Sequence, residues 1–182
     1  VIEDPKHNDF NLIANNILES NKSTNLNGAA GTGKTFLQKT IIKKLEESGK
    51  KFKVLTPTNK ACRNIYKHSI TLHKFLINAF ENMMQFNKQT NDLQYIIIDE
   101  VSMMKEIFYK ILLTIKLMKP HIIFIIAGDW RQLSPVLDRA EFDYKNSLAL
   151  MELCDFNQVE LIECRRSTRD LYDMSMNLNS ID

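Results

Sequence analysis

The sequence is poor in the residues that build stapled, fibrous or membrane-spanning proteins. Its 182 residues include three scattered cysteines, Cys62, Cys154 and Cys164, none of them in a CxxC pair. That spacing argues against a disulfide framework or a zinc site, and reads as free thiols in a reducing compartment. Five glycines and four prolines are too few for a collagen-like or low-complexity chain. No charged-then-apolar leader opens it. The strongly apolar stretches, Tyr95–Ile98 and 122–127, fall far short of the ~20 residues that cross a bilayer. The net charge is only +2, so bulk electrostatics says nothing about a nucleic-acid partner, and local motifs must carry any such argument.

What is present fits one globular domain. The chain is 44% apolar and 25% charged, enough to bury a core. It reads as an intracellular protein, cytoplasmic or nuclear, and its Asn, Lys and Ile content fits an AT-rich viral or parasitic genome. Because it opens on Val1, it is expected to be a fragment.

Apolar residues at Phe10, Leu12, Ile13, Ile17 and Leu18 have helical spacing, and the same pattern predicts a helix over 35–48. Further helices are expected over 59–66, 72–80, 103–118 and 147–153. Short β-type runs fall at 53–55, 95–99, 122–127 and 159–162. Residues 23–27 stand where a strand should feed the glycine-rich loop, although they are unusually polar for that role. Strands alternating with helices imply an α/β fold, a parallel sheet covered by helices on both faces in three layers. Ligands in such folds sit at the carboxyl ends of the strands.

Three motifs fall at those ends. Gly28, Ala29, Ala30, Gly31, Thr32, Gly33, Lys34 and Thr35 match G-x-x-x-x-G-K-[ST] in full. The glycines let backbone N–H groups curl around phosphate oxygens at a helix N-terminus, which makes this a P-loop for ATP. Lys34 is placed for the β- and γ-phosphates, and the Thr35 hydroxyl for Mg²⁺. The apolar strand 96–98 then ends in Asp99 and Glu100. Asp99 is suited to hold the Mg²⁺ shell, and Glu100 to polarise the attacking water as general base. An isolated acidic pair at a strand end would read as a solvated turn; beside a full P-loop it reads as hydrolytic. In the third, GDWRQL, the Gln132 amide is suited to the γ-phosphate or the water, with a plain polar loop as the alternative.

Taken in order, GAAGTGKT, TPTNKACRNI, TLHKFL, IIIDEVSMM and AGDWRQLSPV resemble the motifs of superfamily 1 DNA helicases, in the RecD-like and PIF-like 5′-to-3′ branch. The resemblance runs over about residues 10–182. It implies a single RecA-like motor domain over 1–182 that hydrolyses ATP with Mg²⁺ and binds single-stranded DNA. It also implies a second RecA-like domain in the full-length protein to close against. Thr56, Pro57, Thr58 and Asn59 match the family segment that touches the single-strand backbone. On the residues alone, this is equally a β-to-α turn with Thr58 as N-cap. Thr71, His73 and Phe75 match the segment beside the DNA path, where a ring can stack on a base; Phe75 is also a good core residue. Arg165, with Arg166 as the alternative, lies where the family carries an arginine to the γ-phosphate, although a solvated basic pair would look the same. Asn11 stands near the position of the family's adenine-reading glutamine, and its shorter amide departs from that pattern.

Two readings from other classes compete with a helicase motor. One is a nucleotide-dependent switch or loader ATPase that unwinds nothing. The other is a non-catalytic DNA-binding module. Single-strand stimulation of ATPase activity separates the first; the joint presence of Lys34, Asp99, Glu100 and Gln132 argues against the second.

Overall fold

The computed structural model describes residues 2–3, 10–81, 83–101, 104–129 and 147–162. Among these described residues, seven strands form one sheet: β1 (Ile2–Glu3), β2 (Thr24–Gly28), β3 (Phe52–Thr56), β4 (Ile70–Thr71), β5 (Tyr95–Ile98), β6 (Ile123–Gly128) and β7 (Gln158–Leu161). Their order is β1-β7-β2-β6-β5-β3-β4, and every neighbouring pair is parallel. The helices are α1 (Phe10–Ser20), α2 (Lys34–Glu47), α3 (Asn59–Ile65), α4 (Leu72–Glu81), α5 (Met83–Thr90), α6 (Glu106–Met118) and α7 (Leu148–Leu153).

Because strand side chains alternate, β5 feeds two cores. Tyr95 and Ile97 pack with Phe10, Leu37, Ile41 and Ile65 of α1, α2 and α3. Ile96 and Ile98 pack with Leu72, Phe86, Leu112 and Leu150 of α4, α5, α6 and α7. The expected three-layer α/β arrangement is the observed one.

The polar run at 23–27 resolves into β2, buried along its whole length between β6 and β7. Three of its polar side chains find partners, while Asn25 Oδ1 is buried with none among the described residues. Asn157 Nδ2 donates to Thr24 Oγ1 at 2.9 Å, the Phe124 amide donates to Ser23 Oγ at 3.1 Å, and Asn27 Nδ2 reaches Glu160 Oε1 at 3.5 Å. α6 starts at Glu106 rather than at 103, after a bend at Met104 and an N-cap at Lys105. β1, β4 and α5 are elements that sequence spacing did not reveal.

The order also fixes the site. β6 lies between β2, which carries the glycine loop, and β5, which carries the acidic pair. With strands ~4.8 Å apart, the two motifs stand about 10 Å apart along the sheet, a gap that the side chains of Lys34, Thr35 and Asp99 can bridge.

Candidate nucleotide site and single-strand edge

The loop between β2 and α2 is built around two constrained glycines. A Cβ on Gly28 would lie 2.5 Å from Thr32 Oγ1 and 2.8 Å from the Leu161 carbonyl. Gly33 has φ +96°, in the left-handed region that L side chains avoid, and a Cβ there would meet the Phe10 ring at 2.5 Å. Thr32, fully buried, ties the loop down by donating from its hydroxyl to the Ala29 carbonyl at 2.9 Å. α2 opens at Gly33 with no side chain capping its first N–H groups. A helix N-terminus of this kind attracts an anion. Lys34 Nζ lies back across the loop, donating to the carbonyls of Gly28 at 2.5 Å and Ala29 at 2.9 Å.

The two motifs meet at Thr35 and Asp99. The Thr35 hydroxyl donates to Asp99 Oδ2 at 3.4 Å. Asp99 is only 6% exposed, and the amide of Glu100 donates to its other oxygen at 3.0 Å. Burial, reinforced by the Glu100 charge, pushes the Asp99 carboxyl above its usual range; the Glu100 N–H, the Lys34 charge and the Thr35 hydroxyl pull the other way. Glu100 is exposed and left-handed at φ 54°, a conformation that costs of order 1–3 kcal/mol and clusters at functional sites. Asp129, 5% exposed, follows β6 directly between them. Asn11 is exposed on α1, next to the Phe10 that covers Gly33. Gln132, Arg165 and Arg166 lie outside the described residues.

The other predicted segments form one edge. Thr56 of β3 pairs in register with Thr71 of β4, so the TPTN and TLH segments lie side by side at the carboxyl end of the sheet. Within that edge the groups differ in availability. Thr56 is fully buried, its hydroxyl donating to the Thr58 carbonyl and lying 2.9 Å from Cys62 Sγ. The Thr58 hydroxyl accepts from the Ala61 amide at 3.2 Å, capping α3 as the capping alternative foresees. Phe75 is 3% exposed and packs on Phe86 at 5.5 Å, so the core alternative is the one adopted. Pro57 and Thr71 are half-buried, while Asn59 and His73 are exposed.

This architecture has known relatives. The family described as AAA domain matches residues 12–138. The ATP-dependent DNA helicase dda of Enterobacteria phage T4 is 31% identical over 185 residues, covering 95% of this chain and 41% of the phage protein. The chain belongs to the AAA-domain family. Its fold is that of a superfamily 1, Pif1-like motor domain: Pif1 helicase from Candida albicans superposes with a TM-score of 0.76 at 27% identity, covering 96% of this chain and 44% of that one. Pif1 helicase from Bacteroides, in complex with ADP-AlF3 and ssDNA, gives 0.74 at 22% identity, with 96% of this chain and 46% of that one covered. The chain therefore spans less than half the length of these relatives.

Some features of the motor domain were not read from the sequence. The Phe10 contact with Gly33 joins residues distant in the chain, and helical spacing marked Phe10 only as a core position. Lys60 and Arg63, exposed on α3 beside the TPTN segment, add positive charge to the edge. Both stand in the quoted motif, where side-chain charge was the available signal. Among the described residues, no helix is long and apolar enough to cross a membrane.

Proposed function

We propose that this chain is the first motor domain of an ATP-dependent DNA helicase, which hydrolyses ATP to move along single-stranded DNA, 5′ to 3′. The observation that carries the reading is the approach of the Thr35 hydroxyl to Asp99 at 3.4 Å, which unites the phosphate loop and the acidic strand end in one site. The relatives support it: the phage protein is an ATP-dependent DNA helicase, and the Bacteroides protein binds ADP-AlF3 and ssDNA.

The residues fit a nucleotide with its metal. The loop leaves no room for a Cβ at Gly28 or Gly33, and the N–H groups that open α2 have no side-chain cap. Thr35 and Asp99 offer two hard oxygens, the small protein share that Mg²⁺ takes when phosphates supply the rest. Mg²⁺ held there would neutralise phosphate charge.

In this reading Lys34 leaves the loop carbonyls for the β- and γ-phosphates. Glu100 polarises the attacking water as general base. Gln132 contacts the γ-phosphate or that water, and Arg165, or Arg166 beside it, stabilises the transferring group. Asn11 takes the adenine edge. The single strand runs along Pro57, Asn59, Thr71 and His73, with the backbone of Thr56 and Thr58 available to its phosphates. Residues 1–182 act as one RecA-like domain that closes on a second in the full-length protein.

The decisive experiment measures ATPase activity of the full-length protein with and without single-stranded DNA. A several-fold rise on adding DNA is expected. An unchanged rate would favour a nucleotide switch or loader instead.

A further inference from the structure

α2 carries one fully buried polar side chain, Gln38. It lies three residues beyond Thr35 and four beyond Lys34, on the same face of the helix. Its Nε2 donates to the carbonyl of Ile98 at 2.9 Å, and Ile98 is the last residue of β5, immediately before Asp99. Its Oε1 is buried without a hydrogen-bond partner among the described residues.

Stability alone does not explain this side chain. Its helix neighbours Leu37, Ile41 and Ile42 are apolar and buried. An amide left half-unpartnered among them is a net cost that an apolar chain of equal length would avoid. What the amide does gain is a fixed distance between helix and strand end. The Thr35–Asp99 contact, at 3.4 Å, is long for a hydroxyl hydrogen bond and holds the two elements weakly. The shorter Gln38 bond closes a second link one turn along the helix. Together they frame the peptide on which Asp99 is mounted.

We infer that Gln38 is a positioning residue that sets the Asp99 carboxylate against the Thr35 hydroxyl, so that the pair presents a preformed divalent-cation site to the bound nucleotide. This rests on the nucleotide-site reading above. Groups that orient metal-binding side chains from behind typically change metal affinity ten- to a hundredfold when removed. Gln38 would therefore act on the cation and leave the phosphate loop alone.

The test is ADP binding to the full-length protein by calorimetry across a MgCl2 titration, for the wild type, Gln38→Met and Gln38→Leu. Both variants keep an apolar filling and remove the amide. Expected are an unchanged ADP affinity without Mg²⁺, a Mg²⁺ midpoint raised about tenfold or more, and a melting temperature equal to or above that of the wild type. A lowered melting temperature with an unchanged Mg²⁺ midpoint, or failure of both variants to fold, would make Gln38 a structural staple and overturn the inference. An equal loss of ADP affinity with and without Mg²⁺ would overturn it too. If the wild type itself shows no effect of Mg²⁺ on ADP binding, it is the reading of Thr35 and Asp99 as the cation site that fails.

Discussion

The amide of Asp99 donates to the carbonyl of Leu55 at 3.2 Å. Asp99 carries the acidic end of β5, and Leu55 is the residue before Thr56, where the TPTN segment begins. The proposed nucleotide site and the proposed single-strand edge thus share one hydrogen bond at the end of two adjacent strands.

Lys34 bonds to two loop carbonyls that a phosphate must replace. Charge-assisted bonds contribute ~1.5–3 kcal/mol, so Lys34→Ala should weaken ADP binding roughly ten- to a hundredfold. Calorimetry on the full-length protein measures this directly. Unchanged affinity would remove the site assignment.

Asp99 has its carboxyl raised chiefly by burial. A carboxyl raised in the folded state favours folding when protonated. Its contribution is therefore fully present below the ordinary value of 3.8 and is lost as pH rises through the higher folded value. Asp99→Asn should raise the melting temperature at neutral pH, and that gain should shrink as pH falls towards the ordinary carboxylate range. The same variant should lose ATP hydrolysis. Melting curves across pH separate the two effects.

His73 and Phe75 stand two residues apart in one motif but face opposite environments. Phe75→Ala should cost ~3–5 kcal/mol of folding stability. His73→Ala should change stability by less than about 0.5 kcal/mol and weaken single-strand binding by ~1–3 kcal/mol. Denaturant unfolding reads the first, and fluorescence anisotropy with a labelled oligonucleotide reads the second.

Gly33→Ala faces a left-handed backbone and the Phe10 ring together. Backbone strain of ~1–2 kcal/mol adds to ~1–3 kcal/mol of overpacking. Adding Phe10→Leu should recover part of the packing cost and none of the backbone cost. Urea unfolding of the single and double variants measures the partition.

The glycine loop and the acidic strand end were legible because each is written in a few consecutive residues. The two-faced strand β5 was legible too, as an unbroken apolar run. Other elements carry no local signal. β1 and β4 are two residues long, too short to display a period. In α5, Phe86 and Thr90 are the buried positions among those whose side chains are described, and two residues four apart make a faint helical pattern. β2 reads as polar because Thr24 and Asn27 are bonded by residues far along the chain, Asn157 and Glu160. Between alternative roles for Phe75 and Thr58 the sequence could not choose. In the structure Phe75 is buried in the core, and the Thr58 hydroxyl caps α3 by accepting from the Ala61 amide.

The interior place of β2, between β7 and β6, also bears on the order of events during synthesis. Its partners on either side lie 101 residues away, as in Thr24 with Ile125, and 133 residues away, as in Asn27 with Glu160. A ribosome adding ~5–20 residues per second needs on the order of ten seconds to make the second of them. Over that interval the strand leading into the phosphate loop has an unmatched flank, and pairings this distant in sequence form slowly. The nascent chain completes its sheet around the loop only when β7 emerges, so nucleotide capture should follow closure of the sheet rather than assist it.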